Sequence, residues 1–224
     1  MNFRNNKYLI YIFLILPFLT FYNCFDYEET ITFKKGYSGT VEITYSVPLK
    51  EDKKSSMIRF LPTQKAAIQA KINQGMGNTI GTKIRDYQFR LLEKGEFDEP
   101  FFENKGRVSY KIDFIEISEL ERMLPGNMIT KFKGKSLVIK REFPSLTSEF
   151  LEETSVGEKK IINETGKLLK EGKMSFRILF PSNTECYSNK GTINLGSLNY
   201  VYPLSDSLES QRNAKIWEIK LRIF

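Results

Sequence analysis

Two cysteines and one cluster of carboxylates are the side chains here with the most evident chemistry. Cys186 lies in SNTECYSNKG. A cysteine acts as a nucleophile when a nearby cation or imidazole lowers its pKa. Glu185, beside it, would raise a thiol pKa instead, and the chain contains no histidine. That absence removes Ser-His-Asp and Cys-His sites and every histidine-bearing metal site. Two cysteines cannot build a zinc knuckle or a disulfide framework. Cys186 is expected as a small, partly buried residue. The stretch GEFDEPFFEN, residues 95–104, gathers Glu96, Asp98, Glu99 and Glu103. Such a cluster can bind a divalent cation or supply an acid/base pair. It lacks the fixed ligand offsets and turn glycine of a calcium loop, so a solvated hairpin loop is expected, with no metal. Phe97, Phe101 and Phe102 in the same stretch offer either a patch for a partner or lipid, or local packing under the loop.

Cys24 has a different setting. MNFRNNK is a short basic segment, and residues 8–22, YLIYIFLILPFLTFY, are uncharged. A spanning helix needs about 20 apolar residues, so this run is short, and Pro17 weakens it further. A basic flank followed by a short apolar run reads as a secretory signal peptide. Phe21-Tyr22-Asn23-Cys24 resembles a bacterial lipobox in its relaxed, spirochaete-like form. That resemblance implies cleavage before Cys24 and a diacylglyceryl group, with acyl chains such as palmitate, on its sulfur. Residues 1–23 are then signal peptide and residues 24–224 a single lipid-anchored ectodomain. Residues 25–28 are expected as a brief tether before the first strand. The alternatives are an uncleaved membrane anchor or a plain secreted product.

The elements that must position any site are mostly strands. The chain is 41% hydrophobic and 27% charged, with 18 Phe and 11 Tyr among its 224 residues. Aromatics on that scale suit strands and a thick core. Period-2 alternation dominates from Tyr27 onward. Residues 29–47 read as a hairpin about KKGYSG, with Val41, Ile43, Tyr45 and Val47 on one face. Residues 107–115 place Val108, Tyr110, Ile112 and Phe114 inward. Residues 83–92, 135–143, 174–180 and 215–224 continue the pattern, the last aligning Trp217, Ile219, Leu221 and Ile223. Lys133, Lys135 and Arg141 are assigned to a charged outer strand face. Helices are expected from an N-cap at Thr63 to Gly75 or Gly77, and from a capping box, Ser118 to Glu121. Two more are expected within 147–153 and 157–172. About eight strands with three or four helices predict an α+β fold with a largely antiparallel sheet packed on the helices.

Phe176-Arg177-Ile178-Leu179-Phe180-Pro181, then Asn189-Lys190-Gly191, then Trp217, are similar to the C-terminal layout of LppM-like lipoprotein ectodomains. The resemblance implies an α+β domain on the outer side of a membrane that binds a lipid or glycolipid, and it carries over no catalytic residue.

The net charge of +7 is interspersed rather than blocked, which implies a solvated mixed surface and no nucleic-acid partner. The expected function is a non-catalytic binding or interaction module of the bacterial cell envelope, with no cofactor. It is lipid-anchored on the extracytoplasmic side, at the outer membrane or cell surface. Its partners are the membrane, through the anchor, and an unidentified protein, lipid or polysaccharide. The rivals are a lipid or glycolipid carrier, which needs an apolar cavity of about 300 Å³ or more, and a carboxylate hydrolase built on the 96–103 cluster.

Overall fold

The computed structural model describes residues 26–58, 61–76, 83–94, 103–124, 127–143, 172–208 and 215–224. The helices expected within 147–153 and 157–172 fall outside the described residues, apart from Gly172 at the end of the second.

Eleven strands form two sheets among the described residues. The first sheet begins with β1 (Asp26–Phe33) and β2 (Gly39–Pro48), paired antiparallel across a turn. Alternation drives both, burying Tyr27, Ile31 and Phe33 on one strand and Val41, Ile43, Tyr45 and Val47 on the other. Gly39 opens β2 because nothing larger fits: a Cβ there would lie 2.0 Å from the Thr32 carbonyl oxygen and 2.7 Å from the Phe114 ring. β3 (Ile84–Leu92) and β4 (Lys105–Phe114) extend the sheet beyond β2. β5 (Asn127–Lys133) and β6 (Ser136–Glu142) belong to the second sheet. β7 (Lys173–Leu179) returns to the first and pairs parallel with β1. β8 (Glu185–Ser188), β9 (Thr192–Asn194), β10 (Ser197–Pro203) and β11 (Ile216–Arg222) complete the set. The strand orders are β3-β4-β2-β1-β7-β10-β9 and β5-β6-β11-β8.

Only two α-helices occur among the described residues, α1 (Lys65–Met76) and α2 (Ser118–Met123). The expectation of an α+β fold packed with three or four helices is therefore corrected: the structure is mostly β. The apolar strand faces pack chiefly on one another across the two sheets, in one contiguous core. Residues 127–133 and 185–203, which add four short strands, carry weaker alternation, and the sequence did not place strands there. The outer face of the first sheet is wet, as expected of an antiparallel face turned to solvent. It holds exposed ion pairs, Arg85–Asp113 at 2.7 Å and Lys111–Glu42 at 3.1 Å.

Both helix starts differ from the sequence reading. Thr63 does not cap α1; it is buried and its hydroxyl donates to the Lys54 carbonyl. The capping box from Ser118 to Glu121 does not form. Glu119 instead accepts the Ile115 and Glu116 amides at 2.7 and 3.1 Å. Glu121 accepts the Thr130 amide and hydroxyl of β5, so it joins the helix to an edge strand.

Candidate functional site

The most unusual chemistry in the molecule is buried between the sheets. Glu29 follows the inward parity of Tyr27 and Ile31 on β1, and Arg141 follows that of Leu137 and Ile139 on β6. Their side chains are each only 1% exposed. They meet as a bidentate pair, with Arg141 Nη1 and Nη2 donating to Glu29 Oε1 and Oε2 at 2.6 and 3.0 Å. Tyr27 donates its hydroxyl to the same carboxylate at 2.8 Å. The guanidinium lies 4.4 Å from the Phe176 ring centroid and 5.4 Å from that of Phe143, within cation–π range. Burial alone would depress the Arg141 pKa, but the Glu29 charge and hydrogen bonds outweigh it and hold the group above its ordinary value. The assignment of Arg141 to a charged outer face is thus overturned. Its signal was legible as parity, since Leu137, Ile139, Arg141 and Phe143 share one phase.

Tyr27 leads from this pair to a pocket. Tyr27 stands opposite Tyr45 in the β1–β2 register, with rings 6.5 Å apart and near parallel. Tyr110, on the neighbouring strand β4, meets Tyr45 edge-on at 6.3 Å. These three rings floor a pocket of about 160 Å³ between the first sheet and the helices. Leu61, Ile68, Ile72, Met123 and Leu124 give it apolar walls, and Lys71 and Arg122 join its lining from α1 and α2. Ile68 and Ile72 sit one turn apart, so α1 lays a single apolar edge against the pocket. Tyr45 donates to the Pro62 carbonyl, and Tyr87 donates to that of Thr63 at 2.5 Å, fixing the segment that enters α1.

Burial dominates the electrostatics of the pocket floor. Burial raises the phenols of Tyr27, Tyr45 and Tyr110 well above the ordinary tyrosine value, and the Glu29 charge reinforces this at Tyr27 and Tyr110. Protonated phenols are hydrogen-bond donors, not bases or nucleophiles. Partial burial lowers the Lys71 ammonium. Elsewhere, burial pushes the Cys186 thiol up to about 11, which keeps it protonated near neutrality.

Cys24, Phe97, Phe101 and Phe102 lie outside the described residues, as do Glu96, Asp98 and Glu99; Glu103 is exposed. The sequence reading missed the pocket because its lining comes from segments far apart in the chain.

The fold and the site together define a mostly β, two-sheet protein with a small tyrosine-floored pocket. The chain belongs to the LIC11874-like family, whose model matches residues 19–224. Among curated proteins, none matches it. Among solved structures, the folded domain of LppM from Mycobacterium tuberculosis is similar at a TM-score of 0.43 and 8% identity, over 90% of this chain and 91% of that one.

Proposed function

We propose that this protein is a lipoprotein of the bacterial envelope, anchored through Cys24, and that it binds a ligand without catalysis. The pocket carries the second half of that reading. Apolar walls and two cations in the lining suit the anionic end of an amphiphile, a phosphate or carboxylate joined to a short hydrocarbon. The carboxylate bonded to Tyr27 is already held by Arg141, so it is not poised as a general base. A volume of about 160 Å³ falls short of the roughly 300 Å³ expected for a carrier of whole lipids. The pocket fits one end of such a molecule.

Octyl phosphate is a suitable probe. Titration followed by two-dimensional NMR is expected to shift amides near Tyr110, Ile72 and Met123 saturably. Lys71→Glu and Arg122→Glu are each expected to weaken binding at least about tenfold, equivalent to ~1.4 kcal/mol. Shifts that never saturate, or affinities indifferent to both changes, would remove the pocket from the account.

The anchor is tested separately. Intact-mass spectrometry of protein made in a lipoprotein-processing bacterium is expected to show a chain beginning at an acylated Cys24, with Cys24→Ser neither cut nor acylated. An uncut, unacylated wild type contradicts it.

A further inference from the structure

The row of the sheet that β1 occupies does not end where β1 ends. The last β1–β2 pair in that direction is Asp26 with Ser46. β2 runs on, pairing Val47 with Gly106 and Pro48 with Lys105 on its β4 side, and the Leu49 amide then donates to the Asn104 carbonyl at 2.9 Å. On the side that β1 has vacated, the Met57 amide donates to the Pro48 carbonyl at 2.9 Å, Leu49 bridges Ser56, and the Lys50 amide donates to the Ser55 carbonyl at 2.8 Å. Residues 55–57 therefore fill the line that β1 would follow if it were extended backwards. Of residues 25–28, expected as a tether, Asp26, Tyr27 and Glu28 belong to β1.

This arrangement sets a distance. Two residues carry Cys24 at most about 7 Å beyond Asp26. From Ser46 to Lys50 the hairpin travels four residues, about 13 Å at strand rise, in the same direction. An acyl group on Cys24 that enters a bilayer brings the 50–55 turn to the headgroups with it. The turn is built to keep its shape. Asp52 Oδ1 accepts the Lys54 and Ser55 amides at 2.9 and 2.8 Å, and Oδ2 accepts the Ser55 hydroxyl at 2.5 Å. Ser55, through its hydroxyl and then its amide, lowers the Asp52 carboxyl to about 2, so it stays ionised and engaged within the turn. Lys50, Lys53 and Lys54 remain exposed around it, with Glu51 as the opposing charge, and Met57 is 49% exposed at the base. Ammonium groups above an exposed thioether match a phosphate layer above an acyl boundary.

We propose that the hairpin 50–57 is a membrane-contact element, which docks on anionic lipid headgroups and fixes the tilt of the anchored protein. This rests on the Cys24 anchor. The test uses full-length, processed protein in vesicles of phosphatidylcholine and phosphatidylglycerol, in a Cys186→Ser background. A nitroxide is placed at Glu51→Cys, or at Lys35→Cys in the β1–β2 turn at the opposite end of those strands. Collision with an aqueous nickel complex is expected to fall several-fold on reconstitution at position 51 and to stay unchanged at 35. Reversing Lys50, Lys53 and Lys54 to Glu is expected to restore collision at 51 while the acyl mass on Cys24 persists. Equal accessibility at both positions in acylated protein overturns the hairpin contact and leaves the anchor standing. An unacylated wild type overturns both. Protection at 51 in a chain lacking residues 1–24, without lipid, assigns the surface to a second copy and overturns the lipid contact.

Discussion

Arg141→Leu is expected to lower the unfolding free energy by about 3–5 kcal/mol, the cost of leaving a buried partner charge unpaired. Glu29 would remain buried between two sheets, its charge met by the Tyr27 hydroxyl in place of the guanidinium pair. Glu29→Leu alone should cost a similar amount, because it strands the cation against Phe176 and Phe143. The double change, Glu29→Leu with Arg141→Leu, should recover most of the loss. Well-packed apolar replacements of a buried pair are often neutral or stabilising, since neither charge then needs to be desolvated. Urea melts of the three variants, compared as a cycle, decide this. Single costs near zero, or a double cost equal to the sum of the singles, would show that the pair is not coupled as the geometry requires. The pair also bears on specificity. It joins the fourth strand of one sheet to the second strand of the other, and a slip of one residue in either would expose it.

Trp217→Ala is expected to cost about 3–5 kcal/mol, the range for emptying a large aromatic site in a close-packed core. Trp217 is 2% exposed on β11. Its ring meets Phe176 and Tyr200 of the first sheet, with centroids 5.6 and 4.8 Å apart, and its Nε1 donates to the Ser188 hydroxyl of β8 at 2.9 Å. The substitution removes contacts across the sandwich and one hydrogen bond within the second sheet. Trp217→Phe should cost less than Trp217→Ala, because part of the volume survives. Circular dichroism is the appropriate readout, since this is the only tryptophan in the chain and its fluorescence vanishes with it. A loss below about 1 kcal/mol for the alanine variant would mean that the intersheet layer rearranges to fill the space.

How far the sequence foretold this molecule depends on the scale of the question. Inward phases were legible wherever alternation is unbroken, as for Val108, Tyr110, Ile112 and Phe114, or Trp217, Ile219 and Leu221, all of which are buried. On β3 the phase slips, because a bulge with Asp86 at φ +53° interrupts the register between Arg85 and Gln88. Past the bulge Leu91 keeps the phase of Phe89 but ends 41% exposed on this edge strand. Residue type misled where it competed with phase: Arg141 was assigned outward for its charge, although its parity pointed in. Propensity also misled at helix ends, where Thr63 and Glu121 found tertiary partners better than local caps. The pocket was not legible, because the Tyr27, Tyr45 and Tyr110 floor follows from strand order, which alternation does not encode.

Strand order has a further consequence, in time. β1, the first described strand of the chain, lies at the middle of its sheet, between β2 and β7. One edge closes by a local hairpin, while the other waits for a parallel partner, Asp26 finding Lys173 across most of the polypeptide. Long-range parallel pairing is slow, because loop-closure entropy is spent before any contact repays it. Until β7 arrives, β1 is an unpaired edge bearing the apolar side chains of Tyr27, Ile31 and Phe33, the kind of edge that recruits other chains. In this topology the first described strand gains its second neighbour from a segment far later in the chain.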